Sequence, residues 1–436
     1  MTVEQHQAAR TIAAEVAERL ASPAAARGVD LKQGWWPQSL AYGAVGVALL
    51  HIERAHAGES SWQRAHDWLA CAAAEPVVTG EGSHLYYGAP ALAFALHAAV
   101  ENRPGRYARA LAILDRHIAA ATRQRLQRAH TRLDRGELPA LAEFDTIRGL
   151  TGIGALLLRR ETCTDLARDV LTYLVRLTEP LPHDGDLLPG WWSDLAPSGK
   201  PSPQFPDGHA NSGIAHGIAG PLALLALAAR HGIVVDGQLE AIGRICGWLD
   251  QWRQPGPGGG PDGESDGAWW PYWITRRHLR SSQPGGGPGR PSWCYGTAGL
   301  ARAHQLAALA TGDKARQQMA EHALLGAMTD PAQLTAIADW SLCHGFAGLA
   351  HITRLAAADA TTPSLSQRLA DCVPRLLAPI TGIAPDVVAT CLLRPRDGGG
   401  DIGFLEGAAG VALALLTHAQ DDRPSLSGWE TCLLIN

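Results

Sequence analysis

The sequence predicts an all-α fold: an (α/α)7 toroid of seven helix pairs, read as one domain over residues 1–436. Three observations carry this. A glycine turn followed by an apolar run recurs seven times along the 436 residues. The runs carry little charge on any face, which suits helices packed on both sides. Alternating apolar and polar stretches, the signature of half-buried strands, are almost absent.

The copies appear in order. YGAVGVALL starts at Tyr42, RGLTGIGALLL at Arg148 and HGIAGPLALLALA at His216. YGTAGLARA follows at Tyr295, HGFAGLAHI at His344 and EGAAGVALALL at Glu406. A degenerate copy, YGAPALAFAL at Tyr87, has Ala91 in place of the second glycine. Each spacing leaves room for a second helix. One such is LAILDRHIAAATRQRLQ between Gly88 and Gly149, with apolar residues at helical intervals. Seven pairs make the toroid, whereas six would make the commoner six-hairpin barrel, so the degenerate copy decides the count. The N-terminal stretch reads as an amphipathic helix and not a secretory signal.

Two stretches break the pattern. Residues 180–211 and 254–291 are rich in Gly, Pro and Trp, and they read as long loop insertions next to glycine turns. Trp191, Trp192, Trp269, Trp270 and Trp273 lie in or beside them, either anchoring the loops or forming an apolar rim for a peptide.

Composition excludes several classes. A chain that is 46% hydrophobic and 18% charged builds a large core and is not disordered. Net charge of −5 and the lack of a polybasic run argue against a nucleic-acid partner or a membrane-surface patch. The apolar run 218–229 is too short to cross a bilayer, so no integral membrane segment is expected. Eight cysteines are too sparse for a disulfide framework, and a cytoplasmic protein with reduced thiols is expected.

The chemistry sits on the turns. Cys294 precedes one glycine, Cys343 and His344 another, and His216 a third. Convergence of the turns would bring these side chains together. Two thiolates and an imidazole make three protein ligands, the count of a zinc (Zn2+) site with an open position. Cys71, Cys163, Cys246, Cys372, Cys391 and Cys432 read as inert core. Two protein thiolates blunt the Lewis acidity of zinc, and a third thiolate from a substrate would be deprotonated yet nucleophilic. The chain lacks the H-x-E with P-C-x-x-C of deaminases and the G-x-G-x-x-G of dinucleotide binders. Activation of a substrate thiol therefore leads. Adding a thiol to an alkene also needs a proton donor, and His216 is the candidate; a fourth zinc ligand or a core histidine is its other reading. Asp145 either orients His216 or shares in proton transfer, or it caps a helix. Arg290 either binds an enolate or peptide, or is a solvated loop arginine.

These residues resemble the lanthionine synthetase C-like family. The resemblance rests on WCYG at Trp293–Gly296, CHG at Cys343–Gly345 and NSGIAHGIAG at Asn211–Gly220, supported by FDTIRGLTG at Phe144–Gly152 and GFLEGAAGVA at Gly403–Ala412. It implies a double seven-helix α/α barrel with one zinc ion held by Cys294, Cys343 and His344. It implies catalytic roles for His216, Asp145 and Arg290, and a small β-rich extension within 180–211 or 254–291. The implied reaction is Michael addition of peptide cysteines to dehydroalanine or dehydrobutyrine, forming lanthionine or methyllanthionine rings. Its partners would be a dehydrated precursor peptide, leader plus core, and a separate dehydratase, because the chain leaves no room for a dehydrating domain before the toroid. Three other readings compete: a relative acting on glutathione or on proteins bearing dehydroamino acids, a non-catalytic scaffold of a peptide-modification complex, and a sugar-binding or glycosidase barrel using Asp401 and Glu406 with the 14 tryptophans.

Overall fold

A computed structural model describes residues 1–28, 36–101, 105–160, 163–256, 267–284, 286–394, 402–420 and 424–436. It is mainly helical, with six short strands among the described residues. Every one of the seven glycine turns opens a helix: Ala44–His56, Ala89–Val100, Leu150–Leu158, Ala219–Arg230, Thr297–Thr311, Phe346–Ala358 and Ala408–His418. The degenerate copy keeps its helix because Pro90 falls in the first turn, where a missing N–H forfeits no intrahelical bond.

The chain divides into two compact units. The first comprises Met1–Ala119, Ala338–His351 and Asp371–Thr431; the second comprises Ala120–Ile337, Ile352–Ala370 and Cys432–Asn436. In the first, Ala408–His418, Ala44–His56 and Ala89–Val100 pack in sequence. Trp62–Ala72 backs Ala44–His56, and the N-terminal helix Val3–Arg19 backs Ala408–His418. The last repeat thus takes its partner from the start of the chain. In the second unit Leu150–Leu158, Ala219–Arg230 and Thr297–Thr311 pack in sequence, each against the helix that follows it.

Burial separates the two helix types. All residues of Ala408–His418 are buried. Thr164–Leu177, a partner helix, buries Leu166, Ala167, Val170, Leu171 and Leu174 at three- and four-residue steps, together with Tyr173, Val175 and Leu177. Among the described residues no single helix is long and apolar enough to cross a membrane. The one pair that passes on length and composition together, Pro363–Thr381 with Pro385–Leu393, is bent by 77°.

The glycine pattern has a geometric cause. In four copies the second glycine donates its N–H to the carbonyl seven residues upstream: Gly152 to Asp145, Gly299 to Ser292, Gly348 to Ser341 and Gly410 to Gly403. The loop therefore folds back onto the helix start. A Cβ on Gly348 would lie 2.0 Å from the Leu342 carbonyl oxygen, and one on Gly410 still nearer that of Phe404. Adjacent turns are then stitched together by their backbones. In the first unit Cys343 donates to Leu405, Phe404 to Ala41 and Leu40 to Tyr86; in the second, Thr146 donates to Ala215 and Ala215 to Cys294.

The two insertions supply the strands. His209–Asn211 pairs antiparallel with Trp273–Thr275, joining one insertion to the other. Leu181–His183 pairs with Asp186–Leu188, and Gln254–Pro255 with Ala268–Trp269. Residues 254–291 are not all loop, since Thr275 caps a short helix, Arg276–Ser281, through a capping box with His278. The tryptophans differ in burial. Trp191, Trp192, Trp269 and Trp270 are buried and anchor the insertions, whereas Trp273 is half-buried beside Tyr295.

Two measurements test this account. Gly348→Ala should destabilise the protein by about 1–3 kcal/mol through overpacking. Gly243→Ala, in the partner helix Gln238–Gln251 with nothing near its Cβ position, should stabilise it by up to about 1 kcal/mol. Melting temperatures that move the same way for both would overturn the explanation.

Acid should also weaken the fold. Burial, aided by the nearby Arg316 charge, lowers the pKa of His304 to about 3. Its Nδ1 accepts from Arg316, and its ring stacks on Trp270. The folded state thus binds fewer protons here than the unfolded chain, whose histidine titrates near 6.5. Stability should be full above that pH and decline towards about pH 3, by up to about 1.4 kcal/mol per unit from this site. A His304→Gln variant should show a shallower loss of melting temperature between pH 6.5 and 4.

Candidate active site

Two clusters emerge, one in each unit. In the first unit the turn Asp339–Gly345 precedes the helix Phe346–Ala358. The hydrogen bond from the Cys343 N–H to the Leu405 carbonyl, 2.9 Å, lays this turn against the turn bearing Glu406. The Sγ of Cys343, a ring nitrogen of His344 and a carboxylate oxygen of Glu406 consequently lie within 4.8 Å of one another. Cys343 is buried, while His344 and Glu406 are half-buried. A soft sulfur, an imidazole and a carboxylate form a donor set that fits a divalent transition metal.

The turn is braced by Asp339. Its Oδ1 accepts the Ser341 N–H at 2.8 Å, and its Oδ2 lies 2.7 Å from His344 Nδ1. The Ser341 hydroxyl also lies 3.2 Å from that nitrogen. Burial pushes the Asp339 carboxyl up, but hydrogen bonds from His344 and Ser341 outweigh it and hold the group well below the usual carboxylate range. A Cβ on Gly345 would lie 2.4 Å from Asp339 Oδ1, so the glycine of CHG leaves room for this carboxylate.

In the second unit His216 Nδ1 lies 2.6 Å from Asp145 Oδ2. Asp145 is 1% exposed. Its Oδ1 accepts the N–H groups of Arg148 and Gly149 at 2.6 and 2.7 Å, at the start of the helix Leu150–Leu158. One oxygen thus braces the loop just before the helix, without a side-chain cap bond to the helix itself, and the other meets His216. An ionised carboxylate only accepts, so Nδ1 carries the proton and Nε2 is the basic nitrogen.

Cys294 also belongs to the second unit and is buried. Its carbonyl accepts the Ala215 N–H at 3.4 Å, which sets its turn beside that of His216. The Trp293 indole N–H donates to the Leu433 carbonyl at 2.9 Å, fixing the Cys294 turn against the C-terminal segment. Around His216 stands an aromatic group. Tyr295 is 6.3 Å away between ring centroids, Tyr272 lies 5.6 Å from Tyr295, and Trp273 lies 6.2 Å from it. The Tyr272 hydroxyl donates to the Arg290 carbonyl at 2.9 Å. Burial raises the pKa of Tyr272, against the pull of the Arg290 charge. Arg290 is half-buried, and its Nε has no hydrogen-bond partner among the described residues, so donor capacity remains for a ligand.

Of the residues singled out in the sequence, Cys343 and His344 meet in the first unit; in the second His216 meets Asp145, the Cys294 carbonyl bonds Ala215 next to His216, and the Arg290 carbonyl bonds Tyr272. Asp339 and Tyr272 gave no motif signal, although an Asp–x–Ser ahead of CHG and a tyrosine beside Trp273 were visible hints. Glu406, paired with Asp401 in the sugar-binding reading, instead faces Cys343 and His344; Asp401 lies outside the described residues. Of the six cysteines read as core, Cys246, Cys372 and Cys432 are buried. Cys71, Cys163 and Cys391 are half-buried; Cys71 and Cys391 lie on the helices Trp62–Ala72 and Pro385–Leu393, and Cys163 immediately precedes Thr164–Leu177.

The Asp145–His216 pairing predicts a tautomer. Long-range proton–nitrogen NMR should find His216 protonated at Nδ1. Asp145→Asn should shift that proton towards Nε2 while keeping an acceptor for the Arg148 and Gly149 N–H groups, whereas Asp145→Ala should also lose about 1 kcal/mol of stability from those lost hydrogen bonds. An unchanged tautomer in the Asn variant would refute the pairing.

Comparison with known proteins shows the family and the fold. The family model for "Lanthionine synthetase C-like protein" matches residues 34–434. The "Nisin biosynthesis protein NisC" of Lactococcus lactis subsp. lactis is 26% identical over 276 residues, covering 62% of this chain and 61% of that protein. The chain's match therefore spans about 61% of the length of that curated relative. A solved structure titled "Nisin cyclase" superposes with a TM-score of 0.75 at 22% identity, covering 98% of this chain and 97% of that one. At that identity the likeness is one of fold.

Proposed function

Because the chain belongs to the lanthionine synthetase C-like family, we propose that it is a zinc-dependent lanthipeptide cyclase acting on a dehydrated precursor peptide. The observation that carries this reading is the donor set of Cys343, His344 and Glu406, with the sequence supplying Cys294 as a further thiolate. The names of the nisin relatives support the same substrate class. In this reading Cys294, Cys343 and His344 are the zinc ligands, residues 1–436 work as one domain, and the protein is cytoplasmic. A separate dehydratase supplies the dehydroalanine and dehydrobutyrine residues.

Zinc, when bound, would lower the pKa of the peptide cysteine so that its thiol proton leaves to solvent and its sulfur attacks as thiolate. The new bond joins that sulfur to the β-carbon of the dehydro residue. The alkene electrons move to the α-carbon and the adjacent carbonyl oxygen. His216, protonated at Nε2, then delivers a proton to the α-carbon and completes the thioether. Asp145 holds the imidazole by Nδ1, at 2.6 Å, and so fixes the orientation of the ring. Arg290 offers its guanidinium to the oxygen that gains negative charge. Tyr272, Trp273 and Tyr295 give the peptide an apolar surface close to His216.

Metal analysis should find one zinc per chain in the reduced protein and none in a Cys294→Ala, Cys343→Ala variant. His216→Ala should keep its zinc and lose cyclisation of a dehydrated peptide by about 10²–10⁴-fold, the range for a missing acid–base group. Zinc lost with His216 would recast it as a ligand, and no zinc in the native protein would remove the thiol-activation reading.

A further inference from the structure

We propose that Asp339 is a positioning residue that holds His344 in the tautomer able to bind metal, with the proton on Nδ1 and the lone pair on Nε2. The inference rests on the reading of His344 as a zinc ligand and assigns a function to a residue outside the ligand set. Three observations support it.

First, the Asp339 carboxylate is itself fixed. Oδ1 accepts the Ser341 N–H at 2.8 Å, and the Asp339 carbonyl accepts the Phe346 N–H at 3.2 Å. The carboxylate therefore spans the turn, and only Oδ2 is presented to the imidazole, at 2.7 Å from Nδ1. An ionised acceptor at that distance makes a charge-assisted bond and selects the Nδ1–H form. Second, the opposite nitrogen faces the donor cluster. His344 Nε2 lies 3.6 Å from Glu406 Oε1, a member of the same donor set. Third, Gly345 is what lets the turn close on the carboxylate. A side chain there would collide with Asp339 Oδ1 and, at 2.1 Å, with the Ser341 nitrogen. The glycine of CHG and the aspartate four residues before Cys343 thus form one device.

The competing device is Ser341, whose hydroxyl lies 3.2 Å from His344 Nδ1. A hydroxyl both donates and accepts, so it selects neither tautomer. The substitutions separate the two. Asp339→Asn retains an oxygen for the Ser341 N–H but turns an NH2 group towards Nδ1, which drives the imidazole proton to Nε2, the nitrogen needed for metal. Ser341→Ala leaves the aspartate in place.

The experiment combines zinc affinity, measured by competition with a chromophoric chelator, and long-range proton–nitrogen NMR of the protein as purified and after chelation. In the wild type His344 should be protonated at Nδ1 in both states. In Asp339→Asn the metal-free ring should carry its proton on Nε2, and zinc should bind about 10–100-fold more weakly, the usual effect of removing a ligand's outer partner. Ser341→Ala should leave the tautomer unchanged and zinc affinity close to wild type. Wild-type zinc affinity in Asp339→Asn would overturn the proposal. So would Nε2–H in the metal-free wild type, a result that requires no variant to fold. If the wild type bound no zinc while Asp339→Asn still moved the proton, the metal reading would fail and the tautomer assignment would stand.

Discussion

The hydrogen bonds that stitch one glycine turn to the next are the constraint on which the rest of each unit depends. Cys343 to Leu405, Phe404 to Ala41 and Leu40 to Tyr86 link successive turns in the first unit; Thr146 to Ala215 and Ala215 to Cys294 do so in the second. These are main-chain bonds, so they require close backbone approach more than any side chain. That is why glycine recurs in the repeat: the second glycine sits against a carbonyl six residues upstream at Gly46, Gly220, Gly299, Gly348 and Gly410. Helix packing alone would align the rods but leave their ends free. The stitches fix the ends, and the chemistry is at the ends.

The same small device appears on two turns with different results. Asp145 and Asp339 each commit one oxygen to backbone N–H groups at the start of a repeat and offer the other to a histidine Nδ1. Each imidazole is thereby anchored and given one tautomer. What differs is the surroundings of the second nitrogen. His344 has the sulfur of Cys343 and the carboxylate of Glu406 as neighbours, a donor set for a metal. His216 is a third exposed and has the Tyr295 ring beside it. One repeat element thus presents two different settings because the neighbouring turns contribute different side chains.

The insertions show how irregular chain can be held firmly. They pair with each other through His209–Asn211 and Trp273–Thr275, and buried tryptophans anchor them. The Trp192 indole donates to the Asp207 carbonyl, and that of Trp270 to the Leu249 carbonyl. An indole buries a large apolar area and still satisfies one backbone carbonyl, so a single residue anchors a segment that has little secondary structure.

The sequence alone determined the repeat, the number of repeat helices, the amphipathic N-terminal helix and the turns that bear Cys294, Cys343, His344, His216 and Asp145. Those features are local: glycine spacing, apolar runs and residues adjacent to a glycine are written in consecutive positions. Tertiary structure alone decided the pairings. That Asp145 meets His216, 71 residues away, depends on the stitch between Thr146 and Ala215. That Glu406 faces Cys343 depends on the bond from Cys343 to Leu405. The N-terminal helix, amphipathic by its own pattern, found its apolar partner in the last repeat. Periodicity states which face of a helix is apolar but not which distant face will cover it. It likewise cannot say which of a histidine's two nitrogens a carboxylate will hold, because that choice is made by distances between residues far apart in the chain.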